Sequence, residues 1–561
     1  MVIKVDEKLY SRQLYVMGHE AQRRMMASKA LLIGCSGLGV EIAKNCILAG
    51  IHSLVMVDPL LPNTYDLGGN FYLKPQDVGA DGGISRAEIC RPFLSELNQY
   101  VNVSVASDVT ALTAEQLIPL LDTGIACLVV TIPLPKELLV ALNEKCRSVN
   151  ASFVYSLACG VFGQVFCDFG SSFICNDKDG NPPATSQIES VIQEGDKIVV
   201  KVLEDHGRHG LESGDMVTFA RLKGLAGLLI NTNYKVTVTG PYIFEIEGVT
   251  VEEATGEAQQ GYITQVKQPV QISFETYEKR LEEPGEFMMS DFAKFDRPPL
   301  LHKSFQALEE FRQNQNNGEY PNPGDIVACN KVLDIVKAAV IAAEEGELTP
   351  AQERIVLHIA SGAKAILSPM CAALGGIVGQ EVLKACSGKF SPINGFFFLD
   401  ADETLPDELL TADEVAPQND GSRYDSQIAC FGKEMQQKLL DLNYFIVGAG
   451  AIGCEMLKNW ALMVCILCIV IIFSIPIRFP EINITVINSF ISVLKFHLSS
   501  LFKQNNLTTK LKRVSGADLT DILLSRTWIA LKNQICPVNF FFVAKISIIS
   551  SHQQLQVLSR K

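Results

Sequence analysis

The stretch LLIGCSGLGVEIAKNCILAG, residues 31–50, decides how the rest of the chain is read. An apolar run from Ala30 to Ile33 meets a glycine cluster, Gly34, Gly37 and Gly39, and a helix-like segment follows until Gly50. A second apolar run, Leu54 to Val57, ends in Asp58. The order is strand, tight turn, helix, strand. Such a unit aims backbone N–H groups and a helix N-terminus at an anion, usually a nucleotide phosphate. A single glycine turn is weak, because many α/β folds use one for packing. The chain, however, repeats it. FIVGAGAIGCEMLKNWAL, residues 445–462, pairs Gly448 with Gly34, Gly453 with Gly39, Glu455 with Glu41 and Lys458-Asn459 with Lys44-Asn45. The offset is 414 residues, and the same offset pairs YSRQLYVMG (10–18) with YDSQIACFG (424–432). A constant register held over about forty residues points to an internal duplication.

Length and composition set the outer limits. A chain of 561 residues leads to roughly three to four domains, and 48% hydrophobic residues supply their cores. A net charge of −14 argues against nucleic acid as a partner, whose footprint is basic. Sixteen cysteines show no His/Cys ligand spacing, their one C-x-x-C pair, Cys465 and Cys468, lies inside an apolar run, and the N-terminus has no signal-peptide core. Reduced thiols in the cytoplasm or nucleus are the simplest reading.

Beyond the first unit, residues 8–27 read as a helix whose polar face carries Arg12, Gln13, Arg23 and Arg24. LVVTIP (128–133) reads as a buried strand, KELLVALNEKCRSV as a helix, and residues 151–170 as strands with glycine turns. From about 170 to 275 the period becomes two, with Thr239-Gly240-Pro241 as a turn between paired strands. Helical spacing returns near 302–315, 325–344 and 351–367. A nearly apolar helix follows over 367–393, with Gly375 and Gly376 permitting close packing and Gly388 as its C-cap. FFFLD (396–400) closes as a strand. The expected fold is therefore α/β and Rossmann-like, interrupted by a small β-barrel-like module and a helical bundle, then resumed and followed by the start of a second copy.

DEKLYSRQLYVMG, GLGVEIAKNCILAGI, FGQVFCDFG, RHGLESGD, DFAKFDRPPLLH, QEVLKACSGKFSPI, SRYDSQIACFG and FIVGAGAIGCEMLKNWAL together resemble the ubiquitin-activating enzyme family, from about residue 6 to 462. The resemblance implies two adenylation domains of ThiF/MoeB type packed as a pseudo-dimer, the first inactive and the second binding ATP. On this reading residues 1–169 and 347–415 form the first domain, 170–270 the first catalytic-cysteine half-domain, 271–346 a four-helix bundle, and 416–462 the start of the active domain. The implied reaction adenylates the C-terminus of ubiquitin with ATP and Mg²⁺, captures it as a thioester and passes it to a conjugating enzyme, in the cytoplasm and nucleus. A carboxylate is a poor acyl donor, and adenylation supplies the leaving group a thiolate can displace. The implied nucleotide-binding residues are Gly448, Gly450, Ala451 and Gly453, with Arg12 reaching across from the inactive half. Ser36 stands where the first loop needs a glycine, in keeping with an inactive half. Asp58 then reads either as a ribose-binding acid or as a plain strand-end residue.

After Leu462 the resemblance ends. The last 101 residues hold eleven Lys/Arg, three Asp/Glu and one glycine, Gly516. Counting on from Gly448, the first acid beyond Glu455 of the loop helix is Glu481. No catalytic residue or metal ligand is assigned, and Cys536 has no matching surroundings. The residues 463–561 read foremost as an unrelated tail, translated non-coding sequence or an alternative terminus. The uncharged run 460–477 reaches the lower length of a membrane span, but Pro476 counts against it. Taken singly, Lys44 and Lys458 read as surface residues, and His206 and His209 as loop residues. A non-catalytic ubiquitin-binding module is the alternative to an enzyme. A nicotinamide oxidoreductase is disfavoured, because the intact second loop lacks an acid about 20 residues on.

Overall fold

The computed structural model describes residues 5–471 apart from 80–82, 195–196, 222–231, 247–260, 290, 418–420, 443, 448–449 and 464–467. Its centre is a seven-stranded sheet ordered Gly395–Asp400, Phe162–Asp168, Ser152–Cys159, Cys127–Val130, Lys29–Ile33, Ser53–Val57 and Asn102–Val105. The last five strands in that order are parallel and the first two antiparallel. Parallel strands carry helices on both faces, so their sequences read as unbroken apolar runs. Leu31, Leu32, Ile33, Leu128, Val130, Phe153 and Val154 are all fully buried. The helix Gly37–Ala49 follows the first strand and ends at Gly50, whose φ of 79° is the left-handed cap a glycine adopts without strain.

Two modules interrupt this domain. Six short strands between Thr185 and Val266 close into a barrel. Its interior is a separate core that includes Val200, Phe219, Val236 and Phe244. The turn at 239–241 joins the paired strands Tyr234–Val238 and Ile243–Ile246. His209 is buried beside it, with Nε2 2.8 Å from the Gly240 carbonyl and Nδ1 accepting the Leu211 N–H at 2.9 Å. It lies in a loop, as its spacing suggested, and staples that loop to the barrel. The helices Arg297–Gln315, Ile326–Ala342 and Pro350–Gly362 then form the bundle region.

The apolar helix Ser368–Ser387 returns the chain to the sheet and packs along Gly37–Ala49. Close approach depends on Gly375, where a Cβ would lie 2.5 Å from Glu41 Cβ, and on Gly379, where it would lie 2.9 Å from Asn45 Cβ. Gly376, expected to share this role, faces open space among the described residues. Gly388 caps the helix at φ 67°. Among the described residues no helix is long and apolar enough to cross a membrane. The run from residue 460 divides between the end of a helix at Met463 and a short strand, Cys468–Ile471.

His302 pins the bundle to the sheet. It is buried against Phe396 and Phe398, and Nε2 lies 3.2 Å from the Leu281 carbonyl. Burial pushes its imidazole down to about 4 from an ordinary 6.5. Between those values the unfolded chain binds the proton and the folded chain does not. Stability therefore falls as pH drops below about 6.5, by about 3 kcal/mol in total near pH 4. Urea unfolding of wild type and His302→Gln at pH 7 and 4.5 should show a smaller acid loss in the variant. Equal losses would refute the assignment.

Candidate functional site

The duplication is present in three dimensions. The strand Tyr444–Val447 and helix Ala451–Met463 reproduce Lys29–Ile33 and Gly37–Ala49, with both helix ends offset by 414 residues. The strand Cys468–Ile471 pairs parallel with Tyr444–Val447 at a spacing of 24 residues, as Ser53–Val57 does with Lys29–Ile33. The second strand–turn–helix–strand unit thus runs past the point where the sequence resemblance ends. The preceding helices match as well. Ser11–Met25 breaks at Gly18 (φ 79°, ψ 165°) and Asp425–Leu440 breaks at Gly432 (φ 76°, ψ 166°).

The two glycine loops have opposite characters. The first is closed by protein atoms. A Cβ on Gly37 would lie 2.8 Å from Gly69 Cα and 2.9 Å from Cys371 Sγ, and one on Gly39 would lie 2.0 Å from the Gly34 carbonyl oxygen. Gly37, Leu38, Gly39 and Val40 are buried, so the helix N-terminus faces no solvent. Asp58 is likewise engaged. Its carboxylate accepts the Cys35 N–H at 2.6 Å and Arg86 Nε at 2.9 Å, while Arg86 Nη1 reaches Asp66 at 2.9 Å. Asp58 is therefore a structural strand-end acid. Arg86 and Asp66, which sequence reasoning passed over, are buried with it, and Asn70 Nδ2 closes the same corner on the Cys35 carbonyl at 2.9 Å.

The second loop is open. Gly450 and Ala451 are exposed, and nothing among the described residues lies within 4 Å of a Cβ built on Gly450. Gly453 is buried one turn into the helix, and Gly448 lies outside the described residues. An exposed helix N-terminus behind a glycine turn fits an anion such as a phosphate. Arg12 is exposed on the helix Ser11–Met25, and among the described residues it makes no hydrogen bond or ion pair to the second loop. Among the described residues no cluster of His, Cys, Asp or Glu could hold a metal ion.

Between the loops lies a seam. Lys44 contacts Glu41 at 2.7 Å and Glu455 at 2.8 Å. Lys458 contacts Glu455 at 2.7 Å and pairs with Glu41. The four residues are two copies of one Glu–Lys pair, related by 414 positions and joined reciprocally. Lys44 and Lys458 are thus not surface residues, as their helical setting had suggested; Lys44 is 7% exposed and Lys458 carries a side chain 11% exposed. Burial alone would push the Lys44 ammonium down, but Glu41 and Glu455 hold it above the usual lysine range. Burial likewise works against ionisation of Glu455, and the two lysines bring its carboxyl below the usual range. Asn45 donates to the Gly375 carbonyl at 2.9 Å, and Asn459 accepts from Ser368 Oγ at 2.7 Å, so both asparagines bind the same apolar helix.

Three family models match the chain: the ubiquitin-activating enzyme E1 FCCH domain over residues 195–267, the ubiquitin-activating enzyme E1 four-helix bundle over 268–339, and the ThiF family over 424–465. The chain is 42% identical over 461 residues to ubiquitin-activating enzyme E1 1 of Schizosaccharomyces pombe, covering 82% of this chain and 43% of that protein. It is 41% identical over 462 residues to ubiquitin-activating enzyme E1 1 of Arabidopsis thaliana, covering 82% and 41%. To ubiquitin-like modifier-activating enzyme 1 of Homo sapiens it is 39% identical over 469 residues, covering 82% and 42%. The chain spans less than half the length of these relatives.

The contrast between the loops can be measured. Gly39→Ala places a methyl against backbone and should cost about 1–3 kcal/mol. Gly450→Ala should stay within about 0.5 kcal/mol. Chemical denaturation of both variants tests this, and equal effects would show that the two loops are equally packed.

Proposed function

We propose that this chain, which belongs to the ubiquitin-activating enzyme family, serves the ATP-dependent activation of ubiquitin as the half that shapes and braces the nucleotide loop. The observation that carries this reading is the asymmetry of the two loops. A duplicated unit has one copy sealed by Gly69, Cys371 and the Asp58–Arg86 pair, and one copy open at Gly450. A sealed copy has no room for a nucleotide, so phosphate binding falls to the open one.

In that role the backbone around Gly450 and Ala451 would receive ATP phosphates, with Arg12 adding positive charge from the other half. Charge developing on phosphate is what such donors stabilise. Mg²⁺ would accompany the nucleotide, and no residue of this chain is assigned to it. ATP would supply the adenylate that turns the ubiquitin C-terminus into an acyl donor, and conjugating enzymes would take the product onward. The proposed setting is the cytoplasm and nucleus, in keeping with thirteen described cysteines that are all unbridged.

One departure sets the expected activity of the isolated chain. The 414-residue offset places Ile472 where Asp58 stands in the first copy. Isoleucine cannot accept a ribose hydroxyl. The purified chain is therefore expected to show no ubiquitin-dependent ATP–pyrophosphate exchange and no thioester with ubiquitin. Robust exchange would overturn this. The second reading is a ubiquitin-binding module. It is favoured by the sealed first half and the closed barrel, which keep their own cores without nucleotide. Immobilised ubiquitin should then retain the chain in the absence of ATP, and free passage through the column would sink this second reading.

A further inference from the structure

The half-helix that carries Arg12 is held by polar ties more than by burial. None of the residues 11–17 is buried, and Tyr15 is 93% exposed. At its start, Tyr10 is buried with its hydroxyl 3.0 Å from Asn98 Nδ2, and Gln13 Nε2 donates to the Ala49 carbonyl at 2.9 Å. At its end, just before the break at Gly18, Lys389 Nζ donates to the carbonyls of Val16 at 2.8 Å and Met17 at 3.4 Å. A cation at the C-terminal end of a helix is favoured by the partial negative charge there.

Lys389 has a third partner. Its Nζ lies 3.2 Å from Asp177 Oδ2, and the other oxygen of that carboxylate lies 2.8 Å from Lys267 Nζ. Lys267 also pairs with Asp179. Lys267 directly follows Tyr262–Val266, a strand that helps close the barrel by pairing with both Met216–Ala220 and Thr185–Glu194. Backbone bonds from Phe390 to the Asp177 carbonyl at 2.7 Å and from Ser391 to the Lys178 carbonyl at 2.9 Å hold the two segments in register. Asp177 Oδ1 also accepts the Gly180 N–H at 3.0 Å, which orients the carboxylate between the two lysines. One carboxylate thus joins the barrel to the cation that seats the Arg12 half-helix.

We propose that Lys389 is a positioning residue for Arg12, and that Asp177 and Lys267 make its position depend on the barrel. The inference rests on the proposed function only for the target of Arg12. The three ammonium hydrogens of Lys389 have three acceptors, two on the helix and one on Asp177. Displacing the barrel end draws on Asp177, and the half-helix, with little burial of its own, answers first.

The test is amide hydrogen exchange of residues 11–17 in the whole chain without nucleotide, so a chain that binds no ATP leaves it intact. Lys389→Met should speed exchange in this segment about tenfold while the parallel sheet keeps its protection. Lys389→Arg should restore most of that protection. Asp177→Asn and Lys267→Met touch no atom of the half-helix, and each should speed its exchange about threefold. Thermal unfolding confirms that each variant is folded, and Lys178→Ala serves as a neighbouring control without effect. If Lys389→Met acts but Lys267→Met and Asp177→Asn do not, coupling to the barrel is refuted. If Lys389→Met leaves residues 11–17 unchanged, the positioning role is refuted as well.

Discussion

Four charges at the centre of the seam organise this molecule. Glu41, Lys44, Glu455 and Lys458 form a closed ring in which each ammonium meets a carboxylate of its own helix and one of the other. Glu41, Lys44 and Lys458 are largely buried, while the Glu455 side chain is 47% exposed and partly screened by solvent; removing one member of a fully buried pair typically costs about 3–5 kcal/mol. The ring avoids that cost by reciprocity, since each helix supplies what the other lacks. It also fixes the relative rotation of the two loop helices. With that rotation set, the sealed loop lies on one side of the seam and the open loop on the other.

The sealed loop has the outline of a nucleotide turn and the packing of a scaffold. Each of its glycines admits a protein neighbour: Gly69 against Gly37, the Gly34 carbonyl against Gly39. Asp58 is turned toward Arg86 and the Cys35 N–H. Close backbone approach is the property that glycine contributes in both settings. The residues alone therefore could not tell a phosphate cradle from a packed corner.

Much of the architecture was legible because it rests on local periodicity. The apolar runs at 30–33 and 128–133, the alternating strands of the barrel and the helix ending at Gly388 follow from spacing and caps that neighbours do not alter. The duplicated register was legible because it holds across helix, break, strand and turn alike. The seam was not. Lys44 and Lys458 sit on helices where a lone lysine is ordinarily solvated, and their burial comes from elements far apart in the chain. The signal that could have found them was a Glu–Lys pair at the same place in both copies. Asp58 stayed open between two roles because its partner, Arg86, lies outside the unit and belongs to no repeat. Position 472 was also readable by offset, though only the paired strand Cys468–Ile471 gives that offset a place in the fold.

The ring has a consequence for how the two halves diverge. Outside the seam the repeats have drifted: Tyr15-Val16 faces solvent where Ala429-Cys430 is packed away. At the seam EIAKN and EMLKN still read alike. A substitution at one of these charges is felt by the opposite helix, so it must be answered there or reversed. The likeness between the copies is thus a record of mutual confinement, retained where the halves touch and free to lapse elsewhere.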